Sequence, residues 1–391
     1  MPRNWSVKSI LQTLRQTPYI IGYRLVSWTR PLVPGRVLFL SDSRDTLVGN
    51  QKALATALTA RGYEVRTVLK DGLRARRTLG QGAQLCALMA TSPVIVVDDF
   101  FPTIYPIKIR KGTQLLQVWH ASGAFKTMGF SRAGKPGGPI KGSKTHRNYT
   151  AAIVSSEQVR ANYAEAFGID AAKVHATGIP RTDIFFDNDL VRDTAARVRA
   201  ELEIPKDKKL LLFAPTFRGV GQLKAHYDDS LVDWEDFITR HGDEFVIGYK
   251  PHPFVKTLPD IFRTHAQLRD LSAYDNTNEL LMATDLLVTD YSSIIFDFAL
   301  LRRPTVFFCP DLEEYVAARD FYYPYDRYTF GPLARDHASL MEAVTAADGG
   351  DMTLDDFVEF FVGACDGRST ARVIDQLIAP FLGTGTGVDQ V

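Results

Sequence analysis

Four short, almost wholly apolar runs constrain this chain most: VLFL at 37–40, VIVV at 94–97, LLLF at 210–213 and TVFF at 305–308. A strand that shows no polar alternation is buried on both faces, the mark of a parallel sheet covered by helices on each side. Helical patterns of about 10–15 residues separate these runs, as repeated βα units require. The pattern predicts strands at 37–40, 63–68, 94–97, 113–118, 151–154 and 174–177, then at 210–214, 245–249, 286–288 and 305–308. Helices are expected at 50–60, 78–89 and 157–167, then at 231–240, 277–283, 293–301 and from about 336 to 382. With 391 residues, 45% of them hydrophobic, the chain supports two cores. The expected fold class is α/β, with two Rossmann-like domains facing each other across a cleft. Residues 35–180 form the first domain and 181–375 the second. A basic amphipathic segment (1–34) precedes them and a tail (376–391) follows.

The formal net charge of +1 hides an asymmetry. Residues 1–36 carry Arg3, Lys8, Arg15, Arg24, Arg30 and Arg36 and no acid. Residues 100–156 carry nine more Lys and Arg, again without an acid. Two acid-free basic tracts in a nearly neutral chain point to an anionic partner at one face. Cys86, Cys309 and Cys365 lie far apart, which argues against a disulfide framework or a zinc site and fits a reducing compartment. No apolar run reaches the roughly 18 residues of a membrane span, and Arg24 interrupts the early apolar stretch that a signal peptide would need. The N-terminus reads as two short amphipathic helices broken at Pro18. Val7, Ile10, Leu11 and Leu14 form one stripe; Ile21, Leu25 and Trp28 form the other. With Trp5, Tyr19, Tyr23 and Trp28 interleaved among cations, such a segment suits a membrane interface; docking on the chain's own core is the competing reading.

The stretch 286–297, LLVTDYSSIIFD, carries the sharpest local signal. A strand runs into Thr289 and Asp290, and Ser292 or Ser293 then stands at the start of a helix. A serine N-cap leaves backbone N–H groups and a positive dipole end at the strand's mouth, a seat for phosphate. Many βα units share this pattern without any ligand, so neighbouring residues decide. Thr216 and Arg218 follow strand 210–214, and Lys250 follows strand 245–249, adding cations at matching strand ends. Asp297, four residues after Ser293, is placed to reach a ribose hydroxyl. His120 and His252 each follow a strand, one in each half, and facing domains would bring both into one cleft. His252 is held between Pro251 and Pro253, which fix its backbone. Gly123 and Lys126 belong to the Gly- and Lys-rich loop 121–147. Arg181 sits at the expected domain junction, where pairing with Asp183 is as much a structural as a functional expectation. Asp98-Asp99 resembles a metal-holding acidic pair only weakly, so neither a metal nor a cofactor is expected.

Together WHASGAFKTMG, GIPRTD, LLFAPTFRG, YKPHP, TDYSSIIFDF, DLEEY and Arg319-Asp320, in this order, resemble the CDP-glycerol:poly(glycerophosphate) glycerophosphotransferase family over about residues 36–375. The resemblance implies a GT-B-type fold and a short member of single-transfer or priming type. It implies transfer of glycerol phosphate from CDP-glycerol to a hydroxyl of a lipid-linked acceptor at the cytoplasmic face of the membrane, releasing CMP. His120 and His252 match the family's two histidines associated with activity, and Ser292 and Ser293 its phosphate-binding pair. One departure stands out: the family's Trp-His-Gly is Trp119-His120-Ala121 here, with glycine first at Gly123. On this reading His120 is the general base, while Arg218, Lys250, His252 and the Ser292/Ser293 seat meet the diphosphate charge. The basic loop draws in an anionic lipid-linked acceptor, and no nucleic acid is a partner. The competing expectations are a CDP-ribitol donor, a GT-B glycosyltransferase using a UDP-sugar, and a nucleotide sensor that transfers nothing.

Overall fold

The computed structural model describes residues 7–70, 76–135, 138–140, 143–219, 222–347 and 353–383. Within it the chain divides into two compact units.

The first unit holds a six-stranded parallel sheet of order β2-β1-β3-β4-β5-β6. Its strands are β1 (Arg36–Leu40), β2 (Glu64–Val68), β3 (Val94–Val97), β4 (Gln114–Gln117), β5 (Ala151–Ile153) and β6 (Val174–His175). Helices α1 (Val7–Thr29), α2 (Gly49–Ala60), α3 (Leu79–Thr91) and α4 (Arg160–Phe167) accompany them. The VLFL and VIVV runs are buried along their whole length, which is why they lack polar alternation.

Two expectations fail here. First, the N-terminal segment is one helix, with Pro18 inside it. An interior proline removes a backbone hydrogen bond and costs about 3 kcal/mol, and the helix continues because its second half is docked. Tyr23 is buried and its hydroxyl accepts from the Arg110 N–H at 3.0 Å. Gly22 lies so close to Cys86 that a Cβ there would stand 3.0 Å from Sγ. Trp5 and the side chains of the first expected stripe (Val7, Ile10, Leu11, Leu14) lie outside the described residues. Second, residues 364–383 belong to the first unit, not to a C-terminal domain or tail. Val373, Ile374, Leu377, Ile378 and Leu382 join the core formed by β1, β3 and α2. Residues 384–391 of the expected tail lie outside the described residues.

The second unit holds another six-stranded parallel sheet, of order β12-β11-β10-β7-β8-β9. After α5 (Asn188–Glu201) come β7 (Lys209–Ala214), α6 (Trp234–His241), β8 (Phe245–Tyr249), α7 (Ile261–Thr264) and β9 (Leu268–Asp270). Then follow α8 (Thr277–Ala283), β10 (Leu286–Thr289), α9 (Ile294–Ala299), β11 (Thr305–Phe308), α10 (Leu312–Ala318) and β12 (Leu333–Ala334). Helices α11 (His337–Ala346) and α12 (Thr353–Val362) complete this unit. Read from the far edge, the strands run 3-2-1-4-5-6, the dinucleotide-fold order. The order reverses between β7 and β10, and ligands in such sheets bind outside the carboxyl ends of the strands at that point.

Candidate active-site groups

In the first unit the order reverses between β1 and β3, and His120 stands three residues beyond neighbouring β4. Its Nδ1 lies 3.1 Å from the Asp98 carbonyl oxygen, so the N–H is donated there and Nε2 is left as the basic nitrogen. The Asp99 carboxylate lies 3.9 Å from Nδ1. The Trp119 indole stacks on the imidazole with centroids 4.4 Å apart. Burial pushes the imidazole pKa below its usual value; Asp99 and the Asp98 carbonyl oppose this, while Arg44 and Arg181 reinforce it. The side chain is nevertheless 42% exposed, so a neutral base remains open to a substrate. Asp98 itself is buried, 3.6 Å from Arg44, and its carboxyl is pushed up to about 6 by that burial.

Arg181 and Asp183 do not form the expected pair. Asp183 accepts from the Ser369 and Thr370 N–H groups at 2.9 and 2.7 Å, at the start of α13 (Ser369–Val373). The Arg181 main-chain N–H donates to Asn50 Oδ1 at 3.0 Å.

In the second unit the expected phosphate-binding cations are already occupied. Arg218 grips Asp311 through Nε and Nη2 at 2.6 and 2.8 Å, and reaches Asp290 through Nη1 at 2.9 Å. Asp290 is 1% exposed and also accepts from the Thr216 and Tyr291 N–H groups. Lys250 turns its ammonium onto the Leu271 and Tyr274 carbonyls at 3.2 and 2.8 Å, and burial lowers its pKa. Thr289 donates to the Ala214 carbonyl. Asp297 is buried and accepts from the Ser122 hydroxyl at 2.8 Å, so it is no helix-surface carboxylate. These four positions, Arg218, Lys250, Thr289 and Asp297, therefore build the walls of the strand ends. Sequence pattern marks the residue types but not their internal partners.

The serine pair stands at the start of the helix, as expected. Ser293 stands at the N-cap of α9 with helical backbone and makes no side-chain cap; Ser292 Oγ accepts weakly from the Ile294 N–H at 3.4 Å. Several groups stay available at the carboxyl ends of β7, β8 and β10. Ser293 is exposed and Ser292 partly so. Thr216 Oγ1 is buried and has no hydrogen-bond partner among the described residues. His252 packs against the Phe217 and Phe254 rings, its Nδ1 accepting from the Phe254 N–H at 3.2 Å. Burial and then Lys126 lower the His252 pKa.

Lys126 reaches this group by a detour of the chain. Residues Ser122–Lys126 belong to the second unit, although the flanking loop belongs to the first. The Phe125 ring packs against Phe296, Phe321 and Tyr328, and the Tyr328 hydroxyl donates to the Ala124 carbonyl at 2.8 Å. Gly123, at φ +66°, passes so close to Phe296 that a Cβ would stand 2.4 Å from the ring. Glycine is required there by both conformation and space. Lys126 then lies over the Tyr315 ring, 5.3 Å from its centroid. Burial brings its ammonium down to about 8, against the pull of Asp290 and with a push from Arg319 and Arg218.

Two parallel six-stranded sheets define an α/β protein of two Rossmann-like domains, GT-B in type. The family model for CDP-glycerol:poly(glycerophosphate) glycerophosphotransferases matches residues 23–379, and the chain belongs to that family. The teichoic acid poly(ribitol-phosphate) polymerase of Bacillus spizizenii is 42% identical over 353 residues, 90% of this chain but 57% of that relative. The teichoic acid ribitol-phosphate primase of the same species is 32% identical over 400 residues, 97% of this chain and all of the relative. The teichoic acid poly(glycerol phosphate) polymerase of Bacillus subtilis is 31% identical over 303 residues, 73% of this chain and 40% of the relative. Among solved structures, the wall teichoic acid polymerase TagF shares the fold with a TM-score of 0.74, at 20% identity over 96% of this chain and 98% of that one.

Proposed function

We propose that this protein transfers a polyol phosphate from a CDP-polyol to a hydroxyl of an anionic, lipid-linked acceptor. His120 carries the reading: a neutral imidazole whose Nδ1–H is held by a main-chain carbonyl and whose Nε2 is left to take a proton. The acceptor oxygen attacks the β-phosphorus while Nε2 removes its proton. A new P–O bond forms, the bond from the β-phosphorus to the bridging oxygen breaks, and CMP leaves with that oxygen. Such a step needs charge neutralisation and alignment more than covalent help from the protein. Lys126, His252, Thr216 and the Ser292/Ser293 hydroxyls supply these on the donor side.

Ribitol is the polyol we assign. The relatives named for ribitol phosphate match at 42% and at full length, against 31% for the glycerol-phosphate polymerase. A ligand that binds the folded state stabilises it by mass action, by about 2.7 kcal/mol at a hundredfold excess over Kd, and so raises the melting temperature. CDP-ribitol should therefore raise Tm by more than CDP-glycerol at equal concentration, and UDP-sugars should leave it unchanged. A larger shift with CDP-glycerol would reassign the donor; a shift only with UDP-sugars would overturn the phosphotransferase reading.

We place the acceptor on a membrane surface, with α1 as the contact. Ile21, Leu25 and Trp28 follow one helix face and are 53%, 54% and 80% exposed. Exposed Arg24 lies among them, and no described helix is long and apolar enough to cross a membrane. An apolar stripe flanked by cations suits the interface of an anionic bilayer. The full chain should float with vesicles containing anionic lipid, and a Leu25→Glu, Trp28→Glu double variant should stay in the pellet fraction without loss of Tm. Equal flotation of both proteins would remove α1 from this role.

A further inference from the structure

The backbone beside His120 is held in a conformation that ordinary residues avoid. Trp119 has φ +47°, in the left-handed region, where a bulky side chain is strained. Such strain persists only where the surroundings impose it, and here both ends of the residue are gripped. The Trp119 N–H donates to Gln117 Oε1 at 2.8 Å. Its carbonyl accepts from Asn50 Nδ2 at 2.9 Å, and the same amide donates to the Val118 carbonyl at 3.0 Å.

The two gripping side chains are fixed in turn. Asn50 is 2% exposed, sits in the first turn of α2, and accepts the Arg181 N–H on its Oδ1. Every hydrogen-bonding direction of its amide nitrogen is used by a main-chain carbonyl. Gln117 is fully buried in β4 and donates through Nε2 to the Tyr149 hydroxyl at 2.9 Å. Tyr149 lies 2.9 Å from His146 Nδ1, and Tyr105 lies 3.2 Å from both. His146 Nδ1 shares its hydrogen bonding with these two hydroxyls, and burial brings its pKa down to about 4, so the ring stays neutral at neutral pH. Buried and fully satisfied amide networks of this kind specify geometry.

We propose that Gln117 and Asn50 are positioning residues that clamp the strained Trp119 peptide and thereby aim the His120 imidazole. Both side chains are buried and engaged with the protein's own main chain and side chains. Turning the Trp119 peptide to an ordinary conformation would swing the following residue, separating His120 Nδ1 from the Asp98 carbonyl and unstacking it from the indole. The inference rests on His120 being the general base, and its test separates the two claims.

The test compares Gln117→Met, which keeps side-chain length but removes the acceptor for Trp119, with Gln117→Glu, which retains it, and with Asn50→Ala. Misplacing a reacting group by about 1 Å can cost a hundredfold. Gln117→Met and Asn50→Ala should lower kcat by about 10- to 100-fold, with KM for the CDP-polyol unchanged, because the donor groups are untouched. Gln117→Glu keeps the acceptor for Trp119 but loses the Nε2 donor to Tyr149, so its turnover should lie between those of the native protein and Gln117→Met. The imidazole titration, followed by NMR in protein labelled at histidine nitrogen, gives a readout independent of turnover. The groups facing His120 are Asp98, Asp99, Arg44 and Arg181. Burial is the largest influence on the ring, so a loosened His120 becomes more solvated and titrates nearer 6.5 than in the native protein.

A raised titration with reduced kcat in Gln117→Met supports the clamp. An unchanged titration with native kcat in folded Gln117→Met and Asn50→Ala overturns it while leaving His120 as base. A raised titration with native kcat upholds the clamp and instead removes His120 from the chemistry. If Gln117→Met fails to fold, Asn50→Ala decides by the same readings.

Discussion

His120→Ala is expected to lower turnover by about 10²–10⁴-fold, the usual loss when one positioned general base is removed. Donor binding should survive, because His120 belongs to the first unit and the groups proposed to hold the donor to the second. The variant should therefore keep the Tm increase produced by the CDP-polyol while losing release of CMP. Its pH dependence carries a sign. The base must be neutral to act, and its pKa in the folded protein lies below the usual histidine value, chiefly through burial. In the native enzyme kcat/KM should thus hold steady down to about pH 6.5 and fall only below it. Turnover within threefold of native in His120→Ala would show that another group takes the proton.

Arg218→Met is expected to act first on stability and only secondarily on donor binding. Arg218 joins two carboxylates, Asp290 and Asp311, and Asp290 is almost wholly enclosed. Burial presses the Asp290 carboxyl above its usual pKa, and Arg218 is the main opposing influence. Taking one partner from a buried pair leaves an uncompensated charge and costs about 3–5 kcal/mol. The guanidinium also lies 5.0 Å from the centroids of the Tyr291 and Tyr315 rings, which stack on each other at 3.8 Å. Denaturation by urea should show the second unit losing several kcal/mol. Lowering the pH through the carboxylate range should narrow the gap between the two proteins, since a protonated Asp290 no longer needs its partner. A variant of native stability that had merely lost affinity for CDP-polyol would restore Arg218 as a phosphate ligand.

Most of the sheet framework is legible in the sequence because runs such as VIVV and LLLF have one physical explanation, burial on both faces. The short edge strands β9 and β12 are not, since neither contains an apolar run of that kind. Two long-range dockings are equally hidden. Pro18 reads locally as a helix break, and only Tyr23 and Gly22 packing against distant residues explains why α1 continues. The return of Ile374 and Leu377 to the first core is likewise a tertiary fact.

At the candidate site, pattern identifies the strand ends and the histidine that follows β4. It cannot tell an available cation from an occupied one. Lys250 and Arg218 look alike in sequence to a phosphate ligand, yet each is spent on internal carbonyls or carboxylates. Gln117 and Asn50 escape notice because uncharged amides in a strand and a helix carry no chemical signature until their partners are known.

The central claim is most directly tested by mass spectrometry of a lipid-linked acceptor after incubation with CDP-ribitol and the native protein. The account predicts acceptor mass rising by the increment of one or more ribitol phosphates, with one CMP released for each. CMP released without any gain in acceptor mass, or an acceptor gaining a sugar residue without phosphate, would contradict it.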